Sequence, residues 1–212
     1  DEQRAELIGL LEKLDIASKG KASKTNFMSF VHEVWPDFIE GPHHRIMADA
    51  FNRIATGKLK RLIVCMPPRH TKSEFASYLL PAWYLGLYPK HKVMQVSNTA
   101  ELAQGFGRKV RNLFKDKVFR DTFPDVKLSA DSTAAGRWNT NQGGEYFAVG
   151  VSGTIAGKGG NLLVIDDPHT EAEALASESG DHSVYDRVFS WYSLVRQRLQ
   201  PGAAVVIVTT RW

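Results

Sequence analysis

Two patterns of apolar residues alternate along the chain. Short, continuously apolar runs occur at 62–66 (LIVCM), 92–97 (KVMQVS), 162–166 (LLVID) and 203–210 (AAVVIVTT). Between them, apolar residues recur every three or four positions, as at Met47, Phe51 and Ile54; at Phe75, Leu79 and Trp83; at Leu102, Phe106 and Val110; and at Val184, Val188, Trp191 and Val195. The runs predict buried parallel strands and the stripes predict helices. Strands that alternate with helices predict an α/β domain with a mainly parallel sheet and helices on both faces.

Turn-forming and helix-capping residues between these segments indicate where the elements begin and end. Leu7, Leu11 and Leu14 predict a first helix, and the following SKGKASK predicts a flexible join, so we assign 1–24 to this helix and join and 25–212 to the main domain. Gly57 is suited to end the helix before the first strand, and either Asn98 or Thr99 can cap a long helix. NQGGEYFAVG indicates a hairpin or a strand after a tight turn. Glycines cluster at 150–160, which indicates a mobile loop.

Composition narrows the class of protein only slightly. At 212 residues and 43% apolar content, the chain can bury a substantial core as one domain. Its formal net charge of +4 suits a polyanionic partner but equally suits an ordinary basic enzyme. The single cysteine, Cys65, excludes an internal disulfide and lies in an apolar run, where we expect it to pack in the core. No segment has the length and apolarity of a membrane span, so we expect a soluble intracellular protein.

The stretch MPPRHTKSE at 66–74 has the order of a phosphate-binding loop but lacks its glycines. A strand precedes it and Lys72-Ser73 opens a helix, so backbone amides and the positive helix end would converge on an anion. Met66 and Thr71 stand where the standard loop has glycine. A β-branched residue resists positive φ at a cost of roughly 1–2 kcal/mol.

Two acids end the strand LLVID about a hundred residues later. Asp166 is placed to hold a magnesium ion and Asp167 to orient a water molecule. Acids at a strand end before Pro168 also occur simply as turn caps. Together with the Lys-Ser turn, however, they match the two halves of a magnesium-nucleotide site.

These motifs resemble the ATPase domain of the large terminase subunit of tailed bacteriophages, the motor that packs DNA into proheads. The resemblance is carried, in the order of that family, by GPHHRIMADAF, RLIVCMPPRHTKSE, PAWYLGLYP, VSNTAELAQGFGRKVR, GVSGTIAGKGG, LLVIDDP and TTRW. The loop of that family is itself degenerate, with Pro-Pro-Arg-His in place of glycine-rich residues, and only Thr71 departs from it. The resemblance implies a P-loop NTPase fold of the ASCE/RecA-like type, with ATP and Mg²⁺ as cofactors.

The resemblance also implies roles for individual residues. Lys72 and Arg69 would act on the phosphates, Ser73 and Asp166 would hold magnesium, and Thr209 and Thr210 would couple hydrolysis to DNA movement. Asp167 stands where relatives often have a catalytic Glu, and Glu171 or Glu173 could take that role. The cofactor-binding set would be Pro67, Pro68, Arg69, His70, Thr71, Lys72, Ser73 and Glu74, with His43 and His44 in the adenine-contacting segment that begins at Pro42.

The family works as rings in which one subunit supplies a cation to its neighbour. Lys158 is the candidate for that catalytic cation, and Arg137 and Arg211 are alternatives, because a lysine lacks the bidentate contact of arginine. The helix predicted at 99–117 carries basic residues that suit contact with the DNA backbone without base reading. These residues are Arg108, Lys109, Arg111, Lys115 and Lys117.

Three functions remain open from the sequence. The leading one is an ATP-hydrolysing motor domain that drives double-stranded DNA into a prohead, with the portal protein, the small terminase subunit and a homo-oligomeric ring as partners, no membrane partner, and a location in the host cytoplasm. The others are a helicase-like ATPase and a nucleotide- or DNA-binding module whose hydrolysis is impaired by Thr71. Because the chain stops directly after a buried strand, we expect a longer protein whose nuclease domain is absent here, and a monomeric isolated fragment.

Overall fold

A computed structural model describes residues 2–131 and 134–210, and within them one six-stranded sheet. Its strands lie in the order β1-β6-β5-β2-β4-β3, and all neighbours are parallel except the antiparallel pair of β3 and β4. The strands are β1 (Arg61–Cys65), β2 (Lys92–Ser97), β3 (Arg137–Asn139), β4 (Glu145–Gly150), β5 (Gly160–Asp166) and β6 (Leu199–Thr209). The predicted mainly parallel α/β sheet is confirmed.

Helices cover both faces of the sheet, as predicted, but unequally. The helices are α1 (Glu2–Thr25), α2 (Phe27–Val34), α3 (Pro42–Ala55), α4 (Leu80–Leu87), α5 (Ala100–Leu113), α6 (Lys117–Thr122), α7 (Glu171–Glu178) and α8 (Ser183–Arg196). One face packs against residues of α2 to α6 in the larger core. The other face packs against α8 through Trp191 and Val195 in a smaller core. The sheet is therefore closed well on one side and partly on the other.

Strand β1 is an edge strand, and this overturns the expectation that Cys65 packs in the core. Ile63 and Cys65 point to the thinly covered face, where Ile63 is 66% exposed and Cys65 is also exposed. Val64, on the opposite face, is buried. The continuously apolar run predicted burial on both faces, but at the edge of the sheet α8 does not reach the outer one.

The helix after the loop at 66–73 begins with a π-helical turn, Glu74–Leu79, before α4. Pro81 explains the change of register, because proline has no N–H to donate and its ring excludes the carbonyl four residues earlier. The N–H of Leu80 accordingly donates to the carbonyl of Phe75, five residues back. This turn directs the side chains at 73 and 77 towards the end of β5.

Helix α1 continues through the segment predicted as a flexible join. Its end is fixed by tertiary contact, since the indole N–H of Trp83 donates to the carbonyl of Ser23 at 2.7 Å, and Ser23 is buried. Small and basic residues therefore remain helical here because tertiary contacts, with Trp83 of α4 and with α2 and α6, hold this end of the helix. Leu7, Leu11 and Leu14 lie on this helix but are each more than half exposed.

Helix α5 is capped by Thr99, whose hydroxyl accepts the N–H of Leu102. It buries Ala103, Gly107 and Val110, while Leu102 is 57% exposed. A side chain at Gly107 would collide with the carbonyl of Ala135, because an added Cβ would lie 2.3 Å from that oxygen. The helix ends at Leu113, and Lys117 starts the separate helix α6.

Candidate functional site: the carboxyl edge of the sheet

The loop between β1 and the π-helical turn occupies the carboxyl edge of the sheet. It holds Arg69 at φ 63° and Thr71 at φ 58°, both in the left-handed region that favours glycine. Among the described residues, four non-glycine residues have positive φ, and they include Asp167 (φ 40°), which directly follows β5. Strained backbone collects at functional sites, where the surrounding structure enforces it.

The hydroxyl of Thr71 joins this loop to α3. Its oxygen lies 2.7 Å from Nε2 of His44 and 2.7 Å from the carbonyl oxygen of His70. His44 is buried, and its Nδ1 accepts the backbone N–H of Gly41 at 2.8 Å. The ring packs against Phe38 and Phe75 at centroid distances of 4.7 and 5.0 Å. Both ring nitrogens of His44 are therefore engaged within the chain.

Lys72 meets the acid-tipped strand. Its side chain is 8% exposed, and its Nζ lies 3.2 Å from Oδ2 of Asp167. The strand order explains the encounter, because β6 separates β1 from β5 and the three strands are parallel. Loops that leave the carboxyl ends of such strands converge at one edge.

Asp166 is the most buried acid of this edge, at 4% exposure. Its Oδ1 accepts the hydroxyl of Ser73 at 2.9 Å, and its Oδ2 accepts that of Ser77 at 2.8 Å. Burial raises the pKa of Asp166 to about 6; the charge of Asp167 adds to this, while the two serine hydrogen bonds and Lys72 oppose it. The positive charge of Lys72, which lies beside Asp167, therefore offsets the charge of Asp166 only in part.

Asp167 bridges three segments of the site. While Oδ2 faces Lys72, Oδ1 accepts the backbone N–H of Thr210 at 2.9 Å. Its own N–H donates to the carbonyl of Val208 on β6. The carbonyl of Thr209 in turn accepts the N–H of Met66, which leads into the phosphate loop. The end of β6 thus contacts both halves of the site.

The structure does not bring Lys158 or Arg137 to this edge. Nζ of Lys158 lies 2.7 Å and Nε of Arg137 2.8 Å from Oε1 of the buried Glu145, at the start of β4 and therefore at the opposite edge of the sheet. Burial opposes the charge of Glu145, but the hydrogen bonds and charges of the two cations hold its pKa below the usual value. Arg211, the third candidate cation, lies outside the described residues.

The other predicted site residues occupy varied surroundings. Pro67, Pro68, Arg69 and His70 are exposed, and His43 is half-buried with its ring 5.8 Å from that of His70. Glu74 is paired with Lys109 of α5. Glu173 caps α7 at Thr170 and pairs with Arg187, whereas Glu171 is exposed.

Sequence reasoning missed three polar residues that support the acids. Ser77 donates to Asp166, and Nε2 of Gln95 donates to the hydroxyl of Ser77 at 3.0 Å in a fully buried position. The amide of Asn98 donates to the carbonyl of Pro168 and to Glu173. Ser77 lies four residues after Ser73, a spacing that places both side chains on one side of a helix and could have been noticed.

The class of protein that this fold defines is a mainly parallel α/β domain, in which β6 lies between β1, the strand before the loop, and β5, the strand that ends in the two acids. Among solved structures, the crystal structure of the bacteriophage HK97 large terminase is similar at 12% identity and a TM-score of 0.48, over 81% of this chain and 33% of that one. A mutant ATPase domain of a Thermus phage large terminase is similar at 15% identity and a TM-score of 0.45, over 81% of this chain and 65% of that one. The chain therefore spans about a third of the first of these structures and just under two thirds of the second.

The remaining comparisons add nothing to this. No family model matches the chain, and no curated protein matches it. Within residues 2–131 and 134–210, no helix is long and apolar enough to cross a membrane.

Proposed function

We propose that the chain is the ATP-hydrolysing motor domain of a viral large terminase, which drives double-stranded DNA into a prohead. One observation carries the proposal: Lys72 and Ser73 contact Asp167 and Asp166, although the bonded Ser73 and Asp166 are 93 residues apart in the chain. A buried lysine, a hydroxyl and two acids at the end of parallel strands are the parts that a magnesium-nucleotide site requires.

The donor set fits magnesium bound together with a nucleotide. Magnesium keeps several waters and takes one or two protein ligands plus phosphate oxygens. In the described part of the chain, no group of three or more His, Cys, Asp or Glu side chains could hold a metal ion by itself. Ser73 and Asp166 would hold magnesium, which when bound neutralises phosphate charge and stabilises the transferred group.

The loop would receive the phosphates on the backbone N–H groups from Arg69 to Ser73, because Pro67 and Pro68 have none to donate, with the side chain of Arg69 exposed beside them. Lys72 would exchange its contact with Asp167 for phosphate oxygens. That exchange frees Oδ2 of Asp167 to accept a proton from the attacking water, while the N–H of Thr210 continues to hold Oδ1. Asp167 is therefore the acid that we propose orients the water. Glu173 is less suited because it caps α7 and pairs with Arg187, and Glu171 is exposed.

Thr210 provides a direct route from this acid to the end of β6. A change in the state of Asp167 alters the hydrogen bond that Thr210 donates, and Thr209 passes the effect to the loop through Met66. This is the coupling role proposed for Thr209 and Thr210.

A neighbouring subunit in a ring would supply the remaining cation. Lys158 or Arg137 suits this role in being remote from the site of its own chain, but each is paired with Glu145 in the isolated chain. Hydrolysis by the isolated domain is therefore expected to be slow.

The basic residues of α5 and its C-terminal neighbourhood would contact the DNA backbone. Arg108, Lys115 and Lys117 are exposed, whereas Lys109 is paired with Glu74, a neighbour of Ser73. That pair links the proposed DNA face to the nucleotide loop. The portal protein, the small terminase subunit and a host-cytoplasmic location complete the proposal.

Phosphate release measured with and without double-stranded DNA tests the function. DNA-stimulated release that disappears in Lys72→Ala supports the motor. Strand separation by the chain would indicate a helicase-like ATPase instead. Nucleotide binding without turnover, restored by Thr71→Gly, would indicate a binding module with impaired hydrolysis.

A further inference from the structure

Thr71 is the β-branched member of the described residues with positive φ. A β-branched side chain raises the energy of that conformation above the cost that other residues meet. A loop that tolerates it must gain a compensating interaction in the same conformation. A glycine at this position would need no such compensation.

The compensating interaction is the hydrogen-bond chain through the Thr71 hydroxyl. The N–H of Gly41 can only donate, so Nδ1 of His44 accepts, and in the neutral ring the proton is on Nε2. Nε2–H therefore donates to Thr71 Oγ1, whose own proton is donated to the carbonyl of His70. Each of these three hydrogen bonds therefore joins one donor to one acceptor.

His44 is a rigid partner. His44 is 5% exposed, its ring packs against both Phe38 and Phe75, and it is hydrogen-bonded at both nitrogens. Burial lowers the pKa of His44, with the adjacent His43 contributing in the same direction, so the neutral ring that this hydrogen-bond pattern requires is favoured. A hydroxyl fixed to such a ring has little freedom, and neither has the peptide that carries it.

We propose that Thr71 and His44 are positioning residues, and that their hydrogen bond sets the shape of the phosphate loop as glycine does in other loops. The bond ties the start of α3 to the turn before Lys72, so that the amides of the loop are fixed before a nucleotide arrives. Thr71 is then a working component of the site, and its replacement by glycine loosens the loop. This inference rests on the proposed nucleotide binding for its ligand but not for its hydrogen bond.

Four single variants separate the hydroxyl from the backbone effect. Thr71→Ser keeps the hydroxyl, Thr71→Val keeps the shape without it, and Thr71→Gly removes both the hydroxyl and the strain. His44→Phe keeps an aromatic ring against Phe38 and Phe75 without its nitrogens. Affinity for a non-hydrolysable ATP analogue with Mg²⁺ is measured by calorimetry, alongside KM and kcat. Melting temperatures verify that each variant is folded.

The expected result is loss of affinity wherever the hydrogen bond is lost. Thr71→Ser binds within threefold of the unmodified chain, and Thr71→Val and His44→Phe bind about tenfold more weakly, with KM raised more than kcat is lowered. Thr71→Gly binds more weakly than the unmodified chain. The double variant Thr71→Val/His44→Phe is no weaker than either single variant, because both remove the same bond.

A measurement without nucleotide tests the bond itself. In ¹H–¹⁵N spectra of the imidazoles, Nε2–H of His44 should give a slowly exchanging signal in the unmodified chain and in Thr71→Ser, and exchange faster in Thr71→Val. Equal affinity and unchanged exchange in Thr71→Val, additive effects in the double variant, or tighter binding by Thr71→Gly would overturn the proposal. If the unmodified chain binds no nucleotide while the signal behaves as expected, the proposed function fails and the hydrogen bond stands.

Discussion

Two buried carboxylates at opposite edges of the sheet have opposite pKa shifts. Asp166, at the carboxyl edge, has a pKa raised to about 6, first because of burial, and accepts hydrogen bonds from two serine hydroxyls. Glu145, at the amino edge, has a lowered pKa because Lys158 and Arg137 outweigh its burial. The amino-edge acid is neutralised within the chain, whereas the carboxyl-edge acid is suited to a cation from outside. Burial of a carboxylate therefore raises its pKa only where no full counter-charge lies beside it.

The largest difference between the two edges is expected in turnover. Lys72→Ala should lower ATP hydrolysis at least 100-fold, because it removes the cation nearest the acids. Lys58→Ala, at an exposed lysine in the loop before β1, is the matched control and should hydrolyse at the unmodified rate. Phosphate release at saturating Mg²⁺ measures both. Comparable rates in the two variants would remove Lys72 from the mechanism.

A substitution at the amino edge should change the stability of the fold rather than nucleotide binding. Glu145→Gln leaves Lys158 and Arg137 without their counter-charge and should lower the free energy of unfolding by about 2–3 kcal/mol. Affinity for nucleotide should change less than threefold, because this edge is remote from the loop. Urea unfolding and calorimetry give the two values. A tenfold loss of affinity without a loss of stability would reverse the assignment of the two edges.

At the carboxyl edge, the free energy of unfolding should fall as the pH rises, because of Asp166. The pKa of Asp166 is raised in the folded chain, so its contribution is fully present below about pH 4 and is lost as pH rises through about 6. Asp166→Asn should therefore gain up to about 3 kcal/mol over the unmodified chain at pH 8, and almost nothing at pH 4. Urea unfolding of both proteins without Mg²⁺ at the two pH values measures the difference. A gap that does not change with pH would show that the carboxylate is ionised at no cost.

A smaller effect is expected from Ser77, which holds Asp166 from the π-helical turn. Ser77→Ala should lower stability by about 1 kcal/mol and raise the Mg²⁺ concentration needed for half-maximal hydrolysis a few-fold. Ser29→Ala, at a serine outside the site, controls for the substitution itself. An unchanged Mg²⁺ requirement would limit Ser77 to packing.

Much of the fold could be predicted because period and composition report it locally. Continuous apolar runs predicted β1, β2, β5 and β6, and the stripe at Met47, Phe51 and Ile54 predicted α3. What sequence patterns did not report is which strand lies at an edge, so Cys65 was wrongly placed in the core. The end of α1 was also predicted as a join, because the contact between Ser23 and Trp83 links residues 60 positions apart.

The candidate site follows the same division. The order of strand, loop, Lys72-Ser73 and acid-tipped strand could be read from the sequence, and the parallel sheet then brings the two motifs together. The spacing of Ser77 from Ser73 was a signal in the sequence, but Gln95 had none, because its hydrogen bond to Ser77 depends on the π-helical turn and on the position of β2 beside β5. The ion pair between Lys158 and Glu145 could not be predicted either, because it depends on the β3–β4 hairpin that positions β4. The roles assigned to individual site residues stay predictions.

The central claim is that the Lys72 loop and the Asp166 strand form one magnesium-nucleotide site. Its most direct test is calorimetric titration of a non-hydrolysable ATP analogue, with and without Mg²⁺, into the unmodified chain, Lys72→Ala and Asp166→Asn. We predict Mg²⁺-dependent binding by the unmodified chain, at least tenfold weaker binding by Lys72→Ala, and loss of the Mg²⁺ dependence in Asp166→Asn. Equal affinities in all three proteins, or no binding by the unmodified chain, would contradict it.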